Sequence, residues 1–158
     1  MNRSEAFWDR QAPSYDKAER DSYSELVERT IPHLQSDDRV LDFACGTGAI
    51  TLELADHVQA IHAIDLSSGM IDIATKKAVQ RRASHATFQQ ATLFDAHLDG
   101  QLFDVIVAYN ILHLLDNIPQ TLRRIHQLLK SGGMFISVTA CMGEKRTFLG
   151  VLLPILGK

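Results

Sequence analysis

Two aspartates stand where short apolar runs of the sequence end. Asp42 lies within "VLDFACGTG" (40–48), a β-type run that breaks into a glycine turn. Asp65 follows a second β-type run, "QAIHAI" (59–64). A carboxylate at the first position suits a positively charged group and disfavours a pyrophosphate, because like charges placed together repel. A carboxylate at the second position can accept hydrogen bonds from both hydroxyls of a ribose. The pair predicts a ligand with an ammonium group on one side and a ribose on the other.

The glycine turn after the first run does not have the spacing of the common phosphate-binding loops. Starting at Gly46 the sequence reads G-T-G-A-I-T, so Thr51 stands where a dinucleotide fingerprint has its third small residue. No lysine follows Gly48, as a P-loop would require. An oxidoreductase that uses a nicotinamide or a nucleotide sugar is therefore the weaker enzymatic alternative. The glycines still allow a sharp turn and the close approach of a ligand.

Five β-type runs alternate with helical patterns along the chain. The runs cover residues 39–44, 59–64, 86–90, 103–109 and 133–139. This alternation predicts an α/β fold: a Rossmann-like, doubly wound and mainly parallel sheet with helices on both faces. Ligands bind such sheets outside the carboxyl ends of the strands, where the strand order reverses. We therefore expect both aspartates at one site.

Two of the helical patterns have recognisable ends. Ser67 and Ser68 supply an N-cap for the helix after the second strand. A later helix has Pro119 in its first turn, and Gly132 with Gly133 is expected to end it. The buried face of this later helix is predicted to carry Ile118, Leu122, Ile125 and Leu129.

Composition excludes several classes of function. The chain has 158 residues, 46% of them hydrophobic, and a formal net charge of −3, so nothing in it calls for nucleic acid. Its first residues lack the apolar core of a signal peptide, and no apolar run reaches membrane-spanning length. Cys45 and Cys141 form no metal-ligand motif, so no metal site is expected. We expect a soluble, cytoplasmic protein; the sequence does not predict its oligomeric state.

The chain ends in an apolar run, "FLGVLLPIL" (148–156), which is too short to span a bilayer. It could cover the sheet, lie weakly on a membrane surface, or begin a longer segment. We favour the last interpretation, because the fifth strand would otherwise be an open edge. The C-terminal strands of the sheet are then expected to be missing from this chain.

Several segments together resemble the class I S-adenosylmethionine-dependent methyltransferases. They are "VLDFACGTG", "IHAIDLSSGM", "FDVIVAYNILHLL" and "LLKSGGMFISV", in this order and at the spacing of βα units. The opening "FWDRQAPSYD" is similar to the N-terminal helix and loop that cap the cofactor in small-molecule members, including quinone-biosynthesis methyltransferases. The resemblance implies a cap over residues 1–38, a cofactor-binding core over 39–141, and the start of a C-terminal segment over 142–158. It implies transfer of a methyl group from S-adenosylmethionine to a small-molecule acceptor, leaving S-adenosylhomocysteine.

The resemblance also implies roles for individual residues. The methionine part of the cofactor would be held by Asp42 and the backbone of Ala44, Cys45, Gly46, Thr47 and Gly48. The other contacts would come from Asp65 on the ribose hydroxyls, Leu66 and Met70 near the adenine, Tyr15 as the cap tyrosine, and Asn110 facing the methyl group.

Two positions depart from the pattern of this family. Ala44 replaces the first glycine of D-x-G-x-G, and Ala91 stands where an acid often binds the adenine amino group. The backbone near Thr92 and Leu93 would then recognise the adenine, or Asp95 would substitute for the acid.

The catalytic residues are not predicted. His113 is either a general base for a substrate that must lose a proton or a structural residue, and the structural role is the simpler interpretation. A non-catalytic domain that binds the cofactor or a partner, and keeps only the methyltransferase fold, is the alternative function.

Overall fold

The computed structural model describes residues 3–139, except for the side chains of residues 3 and 17–22. The helices of this part are α1 (Arg3–Gln11), α2 (Tyr15–Thr30), α3 (Ala49–Ala55), α4 (Ser68–Arg81) and α5 (Ile118–Leu128). The strands are β1 (Arg39–Phe43), β2 (Ala60–Asp65), β3 (Ala86–Gln90), β4 (Phe103–Tyr109) and β5 (Leu129–Val138). The predicted C-terminal segment, 142–158, lies outside the described residues.

The described strands form one parallel sheet in the order β3-β2-β1-β4-β5. The strand β1 is central, and the order of the chain reverses between β1 and β4, which is the usual ligand position in such sheets. Phe43 pairs with Ile64, so Asp42 and Asp65 lie at the carboxyl ends of neighbouring strands. The predicted fold class and the proximity of the two aspartates are confirmed.

Apolar side chains cover both faces of the sheet, because successive residues of a strand point to opposite faces. On one face Val40 and Val107 belong to a cluster completed by α2, α3 and α4. On the other face Leu41 and Ile106 belong to a cluster completed by α5. Burying each such side chain stabilises the fold by roughly 1.5–3 kcal/mol, and a slip by one residue would exchange the two faces. This burial fixes the register that sets the two aspartates side by side.

Helix α4 begins as predicted. Ser67 is its N-cap, and the Ser67 hydroxyl accepts a hydrogen bond from the backbone N–H of Met70 at 3.1 Å. Pro119 lies in the first turn of α5, where Asn117 is the N-cap and accepts from the N–H of Gln120 at 3.1 Å. These caps satisfy N–H groups that have no partner inside the helix.

The predicted end of α5 is wrong. The helix stops at Leu128, and Leu129 already has an extended backbone with φ −84° and ψ 139°. Gly132 and Gly133 lie inside β5, where Gly132 has a φ of 80°. The apolar residues around Leu128 end the helix and begin the strand without an intervening turn, so the glycines do not mark the boundary.

The predicted buried face of α5 is also partly wrong. The buried residues are Thr121, Ile125 and Leu128, whereas Ile118 and Leu122 are 39% and 41% exposed. The buried residues are spaced by four and three, as the first three residues of the predicted stripe are, but they lie on a neighbouring stripe that shares only Ile125 with it. An apolar pattern that fits two neighbouring stripes cannot by itself select between them.

Within residues 3–139 the edge strands are β3 and β5. No helix of the described part is long and apolar enough to cross a lipid bilayer.

Candidate active site

Two neighbouring cavities lie at the carboxyl ends of the strands. The larger has a volume of about 560 Å³ and is lined by α1, by the loops after β1 and β3, and by the segment after β4. The smaller, of about 40 Å³, lies over Asp42. Residues that line both cavities are Tyr15, Ala44, Gly46, Tyr109 and Asn110. The two cavities are therefore arranged as two compartments of one site.

Most of the predicted binding residues line these compartments. The larger is lined by Tyr15, Ala44, Gly46, Asp65, Leu66, Met70, Thr92, Leu93 and Asn110. The smaller adds Asp42, Cys45 and Thr47. Gly48 and His113 line neither cavity. His113 is exposed, although its neighbours Leu114 and Leu115 line the larger cavity.

The loop after β1 turns through left-handed backbone conformations. Ala44, Gly46 and Gly48 have φ values of 64°, 55° and 71°. The N–H groups of Ala44 and Cys45 both donate to the carbonyl of Ile64, at 2.9 and 3.0 Å, which ties the loop to β2. Ala44 therefore keeps a conformation that glycine adopts more easily.

Gly48 is required by packing rather than by access to a ligand. A Cβ atom on Gly48 would lie 2.7 Å from Cε1 of Phe88 and 2.9 Å from Cβ of Ala74. A Cβ on Gly46, by contrast, would meet Tyr15 at an ordinary 3.5 Å. The expected approach of a ligand at Gly48 thus gains no support, whereas Gly46 borders both cavities.

Asp42 is buried beneath this loop, with 2% of its surface exposed. Its Oδ2 accepts a hydrogen bond from the Thr51 hydroxyl at 2.6 Å. Burial raises the pKa of Asp42 to about 7; the bond from Thr51 opposes the rise, and the charge of Asp65 adds to it. No basic side chain pairs with this carboxyl among the described hydrogen bonds and ion pairs. A carboxyl of this kind can hold either a proton or a cationic group.

Asp65 is held by the backbone at the end of β2. Its Oδ2 accepts from the N–H of Gly46 and its Oδ1 from the N–H of Ser67, each at 2.9 Å. Burial raises the pKa of Asp65, while these backbone bonds lower it. The N–H of Leu66 also bonds to this carboxylate. A carboxylate has about four acceptor positions, so about one remains for a ligand in the larger cavity that Asp65 lines.

Residues 3–16, which comprise α1 and the start of α2, form a cap over the larger cavity. Phe7 and Trp8 line it, and the Trp8 ring makes edge-to-face contacts with Phe7 and Tyr15, at centroid distances of 5.0 and 6.1 Å. Asp9 anchors this cap, because its Oδ1 accepts from the Ser67 hydroxyl at 2.6 Å and from the N–H of Gly69 at 3.0 Å. Sequence reasoning missed Asp9, since nothing in the sequence relates it to residues about 60 positions away.

The loop after β3 differs from the expected adenine contact. The N–H and the hydroxyl of Thr92 both donate to Oδ2 of Asp95, at 2.7 and 2.5 Å. The carbonyl of Leu93 accepts from Nε of Arg124 at 3.1 Å. Asp95 does not line the cavity, and its hydrogen bonds brace this loop. The Thr92 N–H is likewise engaged within the loop.

The end of β4 forms the wall shared by both cavities. Asn110 has a φ of 54° and donates its N–H to the carbonyl of Val138 at 2.7 Å. The Tyr109 hydroxyl shares a hydrogen bond of 2.6 Å with the hydroxyl of Thr30. Asparagine tolerates the left-handed region better than most residues, so the type of residue 110 fits its backbone. Among the side chains that the structure describes, no group of three metal-binding residues lies together.

Comparison with known proteins identifies methyltransferases as relatives of this chain. A family profile described as a methyltransferase domain matches residues 40–133. A demethylmenaquinone methyltransferase of Symbiobacterium thermophilum is 31% identical over 122 residues, which are 75% of this chain and 48% of that protein. The chain thus spans about half the length of this relative.

Solved structures share the fold. An S-adenosylmethionine-dependent methyltransferase from Clostridium acetobutylicum superposes with a TM-score of 0.69 at 23% identity, covering 85% of this chain and 58% of its own. A [4+2]-cyclase, SpnF, superposes with a TM-score of 0.66 at 26% identity, covering 71% and 43%. The family profile matches the core of the chain, and the sheet around the paired aspartates has the fold of these structures. The chain therefore belongs to the class I S-adenosylmethionine-dependent methyltransferase family.

Proposed function

We propose that this protein binds S-adenosylmethionine across the two cavities and transfers its methyl group to a small, apolar acceptor of the quinone type. The observation that carries the proposal is the pair of acids at neighbouring strand ends. Asp42 opens into the smaller cavity and Asp65 into the larger, and the glycine loop lies between them. The smaller compartment has the buried carboxyl of Asp42, and the larger has Asp65 together with the exposed Asp116.

The chemistry of the lining fits the parts of this cofactor. The ammonium group would lie towards Asp42, which has no cationic partner among the described contacts. A ribose hydroxyl would donate to the acceptor position of Asp65 that its backbone bonds leave open. The adenine would pack on apolar side chains that line the larger cavity, Leu66, Met70 and Leu93.

The bound cofactor supplies an activated methyl group on a sulfonium. The residues of this chain hold the two reactants in line and exclude water. The acceptor in this reaction is the reduced quinol, which releases to solvent the proton that the methyl group replaces. The residues shared by both cavities, among them Tyr15, Tyr109 and Asn110, border the position where the two compartments meet. We propose that the acceptor meets the cofactor there.

The rim of the larger cavity supports an apolar acceptor. Phe7, Phe94 and Leu114 line it and are 46%, 50% and 48% exposed. Large apolar side chains that remain exposed around a cavity favour an apolar ligand. The likeness to a demethylmenaquinone methyltransferase agrees with an acceptor of this kind.

A second candidate function is a methyltransferase fold that does not transfer methyl groups. It is favoured by the likeness to the [4+2]-cyclase, because a fold does not determine a reaction. Formation of S-adenosylhomocysteine from S-adenosylmethionine in the presence of a quinol acceptor would exclude it. Cofactor binding without turnover for any acceptor would favour it.

Replacing Asp65 by alanine tests the cofactor site. We expect Asp65→Ala to weaken binding of S-adenosylhomocysteine by about 1.5–3 kcal/mol, because hydrogen bonds to a charged acceptor are lost. Calorimetry measures the affinity, and Asp72→Ala, an exposed acid on α4, is the matched control. Unchanged affinity in a folded Asp65→Ala protein would remove this residue from the site.

The ligand 5′-methylthioadenosine, which lacks the amino-acid part, separates the two compartments. Asp42→Asn should weaken S-adenosylhomocysteine but leave 5′-methylthioadenosine unaffected, whereas Asp65→Ala should weaken both. If Asp42→Asn weakened both ligands equally, the assignment of the smaller cavity to the ammonium group would be wrong.

A further inference from the structure

Three polar side chains from three separate elements form a closed ring beside the glycine loop. Asp16 lies in the first turn of α2, Thr47 in the loop after β1, and Lys77 in α4. The Lys77 Nζ lies 2.6 Å from Oδ2 of Asp16 and donates to the carbonyl and the hydroxyl of Thr47, at 3.1 and 3.0 Å. The Thr47 hydroxyl donates in turn to Oδ1 of Asp16. We refer to these three residues as the latch.

The latch is better sheltered than an ordinary surface ion pair. Thr47 is 2% exposed, and the side chains of Lys77 and Asp16 are 27% and 42% exposed. Isolated surface ion pairs contribute little, but charged groups that share hydrogen bonds within a network are worth more. Each member of the latch bonds to both of the others, so removing one takes away one partner of each remaining member.

The latch lies directly behind the residues that form the site. Tyr15 precedes Asp16 in the chain and lines both cavities; its ring lies 3.5 Å from where a Cβ of Gly46 would be. Thr47 lies between Gly46 and Gly48, whose left-handed backbone shapes the loop. Holding Asp16 against Thr47 therefore holds the tyrosine of the cap against the loop.

We infer that Asp16 and Lys77 are positioning residues that couple docking of the cap to the conformation of the glycine loop. When the latch is closed, Tyr15 and the loop at residues 44–48 are ordered together. A ligand that orders the loop then also stabilises the docked cap, and the docked cap raises affinity for that ligand by the same factor. The statement about the ligand rests on the proposed function; the coupling of cap and loop does not.

Hydrogen exchange followed by mass spectrometry tests the coupling without a ligand. In Lys77→Met we expect the amides of residues 44–48 and those of the cap, 3–16, to exchange about tenfold faster than in the wild type. Asp16→Asn should give the same pattern, and the double variant should add little, because either change opens the ring. Lys77→Arg keeps the charge and should restore most of the protection.

Arg81→Met is the matched control. Arg81 lies one turn beyond Lys77 on α4 and pairs with Glu53 at 2.6 Å, with both side chains about half exposed. The Arg81→Met variant should leave the exchange of residues 44–48 and of the cap unchanged. If Lys77→Met speeds exchange of the cap but not of residues 44–48, or acts no differently from Arg81→Met, the coupling is wrong.

A second arm uses S-adenosylhomocysteine as the probe. In the wild type it should slow exchange of the cap, and in Lys77→Met its affinity should fall about tenfold while the cap stays unprotected. If it does not bind the wild type at all, the proposed function fails, but the ligand-free arm still decides on the latch. Equal affinity and equal protection in wild type and Lys77→Met would overturn the coupling.

Discussion

Asp42 links the stability of this protein to pH. Its folded pKa of about 7 is raised above the ordinary carboxyl value of 3.8 by burial. A raised pKa contributes stability that is fully present below the unfolded value and is lost as the pH rises through the folded value. The carboxyl is thus tolerated at low pH and becomes unfavourable when it ionises without a cation.

The substitution Asp42→Asn should remove this dependence. Between about pH 4 and about pH 8 the wild type should lose stability, on the order of 4 kcal/mol, relative to the variant, which cannot ionise at this position. Urea unfolding at both pH values measures the difference. Parallel curves for the two proteins would show that Asp42 does not titrate in this range.

Ala44 stores backbone strain in the loop. A residue with a Cβ is destabilised by roughly 1–2 kcal/mol in the left-handed region. Replacing it by glycine removes this cost, but the larger conformational entropy of glycine in the unfolded chain offsets part of the stabilisation. Since Ala44 has a φ of 64°, we expect Ala44→Gly to raise the free energy of unfolding by up to about 1 kcal/mol.

Thermal or urea unfolding measures this effect, with Ala96→Gly as the control at an exposed alanine for which no positive φ is found. The control should destabilise the protein or leave it unchanged. A loss of stability in Ala44→Gly of the same size as in the control would contradict the strain.

At the scale of elements, features set by short-range sequence patterns could be predicted, whereas contacts between distant residues could not. Strands β1 to β4 follow from their apolar runs, and the start of α4 follows from Ser67 as N-cap. The buried face of α5 does not, because two stripes of similar polarity compete on that helix. Contacts of Asp9 and Asp16 could not be predicted, since their partners lie 58 and 31 residues further along the chain.

The same distinction holds for the candidate site. Paired aspartates at strand ends are a consequence of parallel topology, so the sequence located them. Thr51 was used only as evidence against a dinucleotide, yet it is the hydrogen-bond partner of Asp42. The local turn that Asp95 closes with Thr92 was not predicted, because a carboxylate three residues after a threonine can close a turn as readily as it can face a ligand.

His62 on β2 gives the sheet a sensitivity to acid. Its ring lies 5.7 Å from that of His97, and within residues 3–139 the buried Nε2 atom of each has no hydrogen-bond partner. Burial lowers the pKa of His62, as do His97 and Arg39, while Thr87 bonds its Nδ1 at 2.8 Å. A lowered histidine pKa means that the unfolded chain takes up the proton first, so stability falls as the pH falls through the unfolded value.

We therefore expect His62→Gln to reduce the loss of stability between about pH 7 and about pH 5, because glutamine cannot take up a proton. Urea unfolding at several pH values measures the slope. The control is His126→Gln on α5, which removes an exposed histidine and so measures the effect of losing a histidine at the surface. An unchanged slope in His62→Gln would contradict the role given to His62.

The candidate ligand site lies between parts of the molecule that are far apart in the sequence. The sheet contributes Asp42 and Asp65, and the cap contributes Trp8 and Tyr15. A ligand that contacts all of these binds only the folded chain, so it stabilises the fold by mass action, by about 2.7 kcal/mol at 100 times its Kd. If such a ligand contacts Asp42, its affinity should change with pH as Asp42 ionises.

The stabilisation of the whole fold by S-adenosylhomocysteine should therefore depend on pH. In the proposed binding mode, the ammonium group of the ligand favours the ionised form of Asp42, so binding should release a proton below the pKa of about 7. The apparent affinity should rise about tenfold or more between about pH 5.5 and about pH 7.5 in the wild type and stay level in Asp42→Asn. Thermal unfolding with increasing ligand measures this affinity, with the exposed Asp72→Asn as control. A rise of the same size in Asp42→Asn would mean that another group releases the proton, and that the smaller cavity does not hold the ammonium group.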